Sequence, residues 1–160
     1  MTLSNKIELM APAGNFESLQ AAIDNGADSV YFGVEQLNMR ARASINFTMD
    51  DLQEIANRCE PKKIRTYLTL NTIIYDHDLS VVKTLLNKAK EANITAVIAS
   101  DQAVIAMARQ LGIEVHISTQ LNVTNIETIK FYCLFADTMV LSRELSLRQV
   151  KMITEQIKKE

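Results

Sequence analysis

The groups best able to bind or process a ligand recur at a few points along the chain: Asn15, Arg40 with Arg42, Asn71, Asp101, Gln120 with Asn122, and Arg143 with Glu144. Amides and guanidinium groups dominate this set. Planar, forked N–H donors of that kind suit a ligand carrying carboxylates or phosphates. Nucleophile-plus-base pairs are scarce. The chain has no Gly-x-Ser-x-Gly elbow, no His-Glu-x-x-His and no cysteine on a catalytic loop. Its two cysteines, Cys59 and Cys133, and its two histidines, His77 and His116, lack ligand spacing, so no metal site is read from them. Asp76-His77-Asp78 offers ligand types, but three neighbours in one loop rarely point at one ion.

The stretch His116–Asn125 (HISTQLNVTN) is the centre of this pattern. Alternation places Val115, Ile117 and Thr119 on one face of a strand and Glu114, His116, Ser118 and Gln120 on the other. Asn122, Thr124 and Asn125 then open a helix. Such a strand fits between a helix layer and a polar cavity; it equally fits a half-exposed strand with a wet side. His116, Arg143 and Glu144 are the catalytic candidates, and Arg40, Asn71, Asp101, Gln120 and Asn122 the substrate-binding ones. Each has a structural alternative. His116 could be a satisfied interior imidazole, Arg143-Glu144 an ion pair, Arg40 and Arg42 solvated loop charges, and Asp101 a helix cap.

The elements that must position these groups alternate along the chain. Strands are expected at Lys6–Ala13, Ser29–Val34, Lys63–Ile74, Ile94–Ser100, the stretch from His116, and Asp137–Ser142. Helices follow each: one capped by Asn15 and stopped by Gly26, one capped by Thr48 and ended by Pro61, then Leu79–Ala92, Gln102–Leu111, Ile126–Phe135, and a last one capped by Ser146. Strand–helix alternation, at about 25 residues per unit, means parallel strands joined by right-handed crossovers. No Gly-x-Gly-x-x-Gly follows the first strand, which argues against a dinucleotide fold. Polar residues in or ending the strands, among them Glu8, Tyr31, Tyr67, Thr69, Asn71, Ser100 and Ser118, favour a barrel with a wet mouth. The expected fold is α/β, an incomplete TIM-type barrel of six parallel strand–helix units forming one domain over residues 1–160. A full barrel needs about 250 residues, so two units are expected to be missing. The unpaired first and sixth strands then predict self-association or strand exchange.

With 48% hydrophobic residues, the chain can build a real core. A formal net charge of -2, from 17 basic and 19 acidic residues, argues against non-specific nucleic-acid binding through bulk charge but leaves a local basic patch open. There is no apolar run long enough to span a membrane and no secretory leader, so a cytoplasmic protein with reduced, buried thiols is expected.

Seven segments, in this order, carry a resemblance: Glu8–Asn15 (ELMAPAGN), Gly26–Gly33 (GADSVYFG), Arg40–Phe47 (RARASINF), the Asn-Thr of Leu70–Thr72, Ser100-Asp101, His116–Asn125 and Val140–Leu147 (VLSRELSL). Together they resemble the collagenase-like peptidase family U32. The resemblance implies a protease label of unsettled mechanism. It also implies, through better-understood members, oxygen-independent hydroxylation of nucleobases in tRNA or rRNA, or of a quinone precursor. Such members use an iron–sulfur cluster and, for RNA, prephenate as hydroxyl source. The resemblance places Arg40, Asp101, His116, Gln120, Asn122, Arg143 and Glu144 around the mouth. The family's Gly-x-x-Cys…Gly-x-Cys cluster segment would follow Glu160, and neither Cys59 nor Cys133 matches it. The expectation is therefore no cofactor in this chain, an iron–sulfur cluster in the full-length protein, and no activity from these residues alone. Peptidase action, or a non-catalytic binding half working with a partner chain, remain alternatives. The expected ligands of the full-length protein are a small dicarboxylate with an RNA or peptide substrate.

Overall fold

The computed structural model describes residues 7–34 and 47–157. Six strands form one sheet in the order β1-β2-β3-β4-β5-β6, every neighbouring pair parallel. They are β1 (Met10–Pro12), β2 (Ser29–Gly33), β3 (Arg65–Leu70), β4 (Ala96–Ala99), β5 (Glu114–Ile117) and β6 (Thr138–Met139). The helices between and after them are α1 (Phe16–Asp24), α2 (Leu52–Cys59), α3 (Leu79–Glu91), α4 (Gln102–Gln110), α5 (Ile126–Tyr132) and α6 (Leu147–Ile157). Sequential order without a switch point is the topology of a barrel wall, not of a doubly wound sheet. The sheet curls as a half-barrel, as the sequence leads one to expect.

The two faces divide by strand parity. Val30, Phe32, Leu68, Leu70, Val97, Ala99, Val115 and Ile117 point to the helices and are buried with Leu19, Leu52, Ile55, Leu85, Leu86, Val104 and Ile105. Each such leucine or isoleucine withdrawn from water contributes about 2 kcal/mol. Tyr67, Ala96 and Ile98, with Tyr31 against them, form a small separate cluster. The register puts Tyr31, Tyr67 and Ala96 on one level and Thr69, Ile98 and His116 on the next, so this cluster lines the concave side.

Local chemistry sets the helix starts. The Asn15 side chain accepts from the Ser18 N–H at 2.8 Å, while the Ser18 hydroxyl accepts from the Asn15 N–H at 3.1 Å. This reciprocal box satisfies donors that the first turn leaves free. Asp101 and Asn125 cap α4 and α5 by accepting first-turn N–H groups, without the reciprocal bond.

Several expected boundaries move. The first strand begins at Met10, with Ile7–Leu9 outside it, and the third ends at Leu70 rather than Ile74. The fifth ends at Ile117 and gives way to a 3-10 turn, Thr119–Leu121. There the Ser118 hydroxyl accepts from the Gln120 N–H at 3.4 Å, offering the backbone a turn in place of the ladder. The sixth strand shrinks to Thr138–Met139, and α5 ends at Tyr132. Thr48 opens a 3-10 turn, Met49–Asp51, that precedes α2. Cys133, expected to be buried, follows α5 and is exposed; Cys59 is buried.

Apolar groups are uncovered before and in β1, where Ile7 is 90% exposed and Leu9 and Met10 are exposed, and on or after α5 and on α6, where Phe131, Leu134 and Met152 are exposed. No helix among the described residues is long and apolar enough to cross a membrane.

Candidate functional site

The structure sorts the polar strand residues into two groups at opposite ends of the curled sheet. The first lies at the amino ends of the strands. Arg65 opens β3, Glu114 opens β5, Ser29 opens β2, and Glu8 precedes β1. Arg65 Nη2 reaches both Glu114 carboxylate oxygens at 2.7 Å, and its Nη1 lies 3.4 Å from Glu8. The Tyr67 hydroxyl donates to Glu8 Oε1 at 2.5 Å. His116 Nε2 is 2.8 Å from Glu114 Oε1, and its ring packs on Tyr67 with centroids 4.7 Å apart.

Electrostatics follow from these contacts. Burial alone would raise the Glu8 carboxyl. Ser29, Tyr67, Arg65 and His116 together outweigh it and hold Glu8 below its ordinary value. Burial, then the Glu8 contact, pushes the Tyr67 phenol well above its ordinary range. Ser29 Oγ is buried without a well-formed hydrogen bond, yet its dipole still favours the charged form of Glu8. In barrels of this kind the amino-terminal face holds structure and the carboxyl-terminal face holds chemistry. His116 thus sits in the floor, tied to Glu114.

The second group is the mouth. Thr119, Gln120, Asn122, Arg143 and Glu144 line a cavity of about 310 Å³. Two loops build it, the one after β5 and the one after β6. They are held together by a parallel bridge between Val123 and Leu141 and by the Ser142 N–H bonding Val123 O at 2.9 Å. Asn122 takes a left-handed conformation, φ 50°, which asparagine tolerates better than most residues. Asn122, at that turn, and Gln120 both line the cavity. Gln120 Oε1 accepts from the Ser118 hydroxyl at 3.2 Å, which fixes the amide's orientation and leaves its NH2 outward. The Glu144 carboxylate accepts from the Ser142 hydroxyl, and this contact, before its own backbone and Arg143, holds it below its ordinary value. Arg143 forms no ion pair with a described residue, so its guanidinium is available to a ligand.

Four of the sequence candidates therefore meet in one cavity: Gln120, Asn122, Arg143 and Glu144. His116 lies in the floor instead. Asp101 is spent on the Ala103 and Val104 N–H groups at 2.8 and 3.4 Å, as a cap. Asn71 follows β3 directly and is half-buried. Arg40 and Arg42 lie outside the described residues. Asp76-His77-Asp78 is a 3-10 turn in which Asp78 accepts from the Tyr75 N–H at 3.0 Å. Sequence reasoning missed Thr119 in the mouth and the Arg65–Glu114 pair in the floor. The signal for the pair was available: Glu114 stands two residues before His116 on the same strand face.

The described residues do not fit an iron–sulfur cluster. Cys59 is buried, its thiol pushed up to about 11 by burial, and Cys133 is exposed beyond a different helix. No group of three or more His, Cys, Asp or Glu that could hold a metal occurs among the described residues.

Residues 14–160 match the family described as Peptidase family U32. The chain belongs to peptidase family U32. Among its relatives, this U32 chain is 53% identical over 153 residues to a protein named Collagenase from Porphyromonas gingivalis, covering 96% of the chain and 37% of that relative. It is 36% identical over 146 residues to tRNA hydroxylation protein P from Helicobacter pylori, covering 89% of the chain and 35% of the relative. It is 31% identical over 151 residues to a 23S rRNA 5-hydroxycytidine synthase from Escherichia coli, covering 94% and 23%. The chain thus spans well under half the length of these relatives. A solved U32 peptidase structure superposes with TM-score 0.74 at 14% identity, covering 97% of this chain and 67% of that one, a likeness of fold.

Proposed function

We propose that this U32 chain supplies the ligand-binding mouth of an enzyme that hydroxylates bases in tRNA or rRNA without molecular oxygen, and that the mouth holds a small dicarboxylate such as prephenate. The observation that carries the reading is the cavity at the carboxyl ends of β5 and β6, where the Arg143 guanidinium and the Gln120 and Asn122 amides converge. A guanidinium grips a carboxylate through paired N–H donors, and amide NH2 groups add donors beside it. A cavity of about 310 Å³ is at the small end of ordinary ligand sites and suits a compact acid.

Within that reading Arg143 neutralises and orients one carboxylate. Gln120 and Asn122 donate to the other oxygens and exclude water. Glu144, held ionised by Ser142, supplies a carboxylate that can accept a hydrogen bond from a hydroxyl of the ligand. Relatives named for tRNA and rRNA hydroxylation support the reaction class. The relative named Collagenase supports the competing peptidase reading. Against it stands the mouth itself: its charged and amide groups suit binding better than attack on an amide, since neither serine at its edge, Ser118 or Ser142, contacts an imidazole or amine base.

The test is nucleoside analysis by mass spectrometry of tRNA and rRNA from cells lacking the full-length gene. Disappearance of a nucleoside carrying one extra oxygen, restored by the unsubstituted gene but not by Arg143→Gln, is the expected result. An unchanged nucleoside profile, with gelatin cleavage by the purified full-length protein, would establish the peptidase instead.

A further inference from the structure

The loop after β3 carries Ile73, Tyr75 and His77, which are 75%, 60% and 80% exposed. Exposed large apolar and aromatic groups at consecutive alternate positions on one loop are uncommon unless something covers them. Tyr75 and His77 are also ordered relative to each other: their rings lie 3° from parallel, with centroids 5.7 Å apart. That is an offset-stacked pair. It is braced from below by the Asp78 carboxylate, which accepts from the Tyr75 N–H at 3.0 Å and lies 3.5 Å from His77 Nε2.

Because all six strands are parallel, the loop after β3 is on the same end of the sheet as the cavity after β5 and β6. Two to three strand spacings separate them, roughly 10 to 15 Å across the mouth. We propose that Tyr75 and His77 form a stacking platform for an unpaired nucleobase of the RNA substrate, holding the strand at the rim while the cavity holds the small acid. This rests on the RNA-hydroxylation reading and adds how the RNA is recognised. Flat ring faces bind any base by its π-surface, without hydrogen-bond readout. Asp76 and Asp78 on the same turn repel phosphate, so the platform takes the base and not the backbone. Its contribution is therefore not weakened by added salt, unlike binding through phosphates. Unpaired bases are also what an enzyme working on a nucleobase requires, since the target must leave its stack.

The test uses the full-length protein and a single-stranded RNA oligonucleotide carrying 2-aminopurine, whose fluorescence is quenched on stacking. Tyr75→Ala weakens binding roughly tenfold and abolishes the quench, at low and high salt alike. Tyr75→Trp restores both, which a structural role for the tyrosine would not predict. The proposal is overturned if the unsubstituted protein does not bind the oligonucleotide, or if Tyr75→Ala binds it within twofold. It is equally overturned if Tyr75 is needed instead for binding a Gly-Pro-hydroxyproline peptide, the ligand expected of a collagen-directed protein. Tyr75-dependent RNA binding together with a nucleoside profile unchanged on deleting the gene would keep the platform and remove the hydroxylation reading; a lost nucleoside together with Tyr75-independent RNA binding would do the opposite.

Discussion

Replacing Tyr67 with phenylalanine tests whether the barrel floor is held by a charged hydrogen bond. Tyr67 is 2% exposed, and its hydroxyl lies 2.5 Å from Glu8 Oε1. A hydrogen bond to a charged group is worth about 1.5 to 3 kcal/mol net. The Glu8 side chain is 38% exposed and keeps Arg65 at 3.4 Å, so water and the guanidinium recover part of the loss. The lower end, about 1.5 kcal/mol, is therefore expected. With a urea slope of about 2 kcal/mol per molar, the unfolding midpoint should fall by roughly 0.7 M. The dependence on pH follows from Glu8. Its folded value is depressed below the ordinary 4.5, so its contribution is complete above that pH and is lost as pH falls through the depressed value. The gap between Tyr67→Phe and the unsubstituted protein should be constant near neutrality and close below pH 4.5. Urea unfolding followed by circular dichroism at several pH values measures it. Equal midpoints, or a gap that persists unchanged into acid, would refute the assignment; so would a full effect of Tyr67→Phe in a Glu8→Gln background, where the bond's charge is already gone.

Three further outcomes are expected. Asn122→Gly should keep stability within about 0.5 kcal/mol, because glycine accepts the left-handed turn freely, while weakening binding of a dicarboxylate; thermal melts and calorimetry separate the two effects. Asp101→Ala removes the cap on α4 and should cost about 1 kcal/mol in unfolding free energy, read from the denaturation midpoint. A thiol reagent applied to the native protein should label Cys133 quickly and Cys59 only on unfolding, since burial both hides Cys59 and pushes its thiol up to about 11; peptide mapping after brief labelling decides it.

The fold was legible because its signals repeat. Strand–helix repetition marked the six units, apolar alternation marked the helix-facing side of β5, and capping residues such as Asn15 marked the helix starts. Strand ends were less legible, because there the side chains compete with the ladder. At Ser118 a hydroxyl bonded to the Gln120 N–H ends β5, and periodicity does not register that contact. The same turn explains why parity misplaced the site. His116 follows strand alternation into the floor, whereas Gln120 lies past the strand, where alternation no longer applies. The Gln120, Asn122, Arg143 and Glu144 cluster was anticipated from residue type and position. Thr119 was not, because a threonine carries no charge or amide to single it out. Of the groups that fix His116, Glu114 already shares its strand face, but Arg65 looks like an ordinary surface charge until β3 and β5 are brought within two strands of each other. The uncovered Ile7, Leu9 and Met10 lie before and in β1, an edge strand of the sheet, where exposed apolar groups were anticipated.

The most direct measurement is calorimetric binding of prephenate to the full-length protein and to its Arg143→Gln variant. Saturable binding by the unsubstituted protein, weakened about tenfold or more by loss of the guanidinium, is what a carboxylate seated on Arg143 requires. Undetectable binding, or equal affinity in the two proteins, would contradict the assignment of the mouth as a dicarboxylate site.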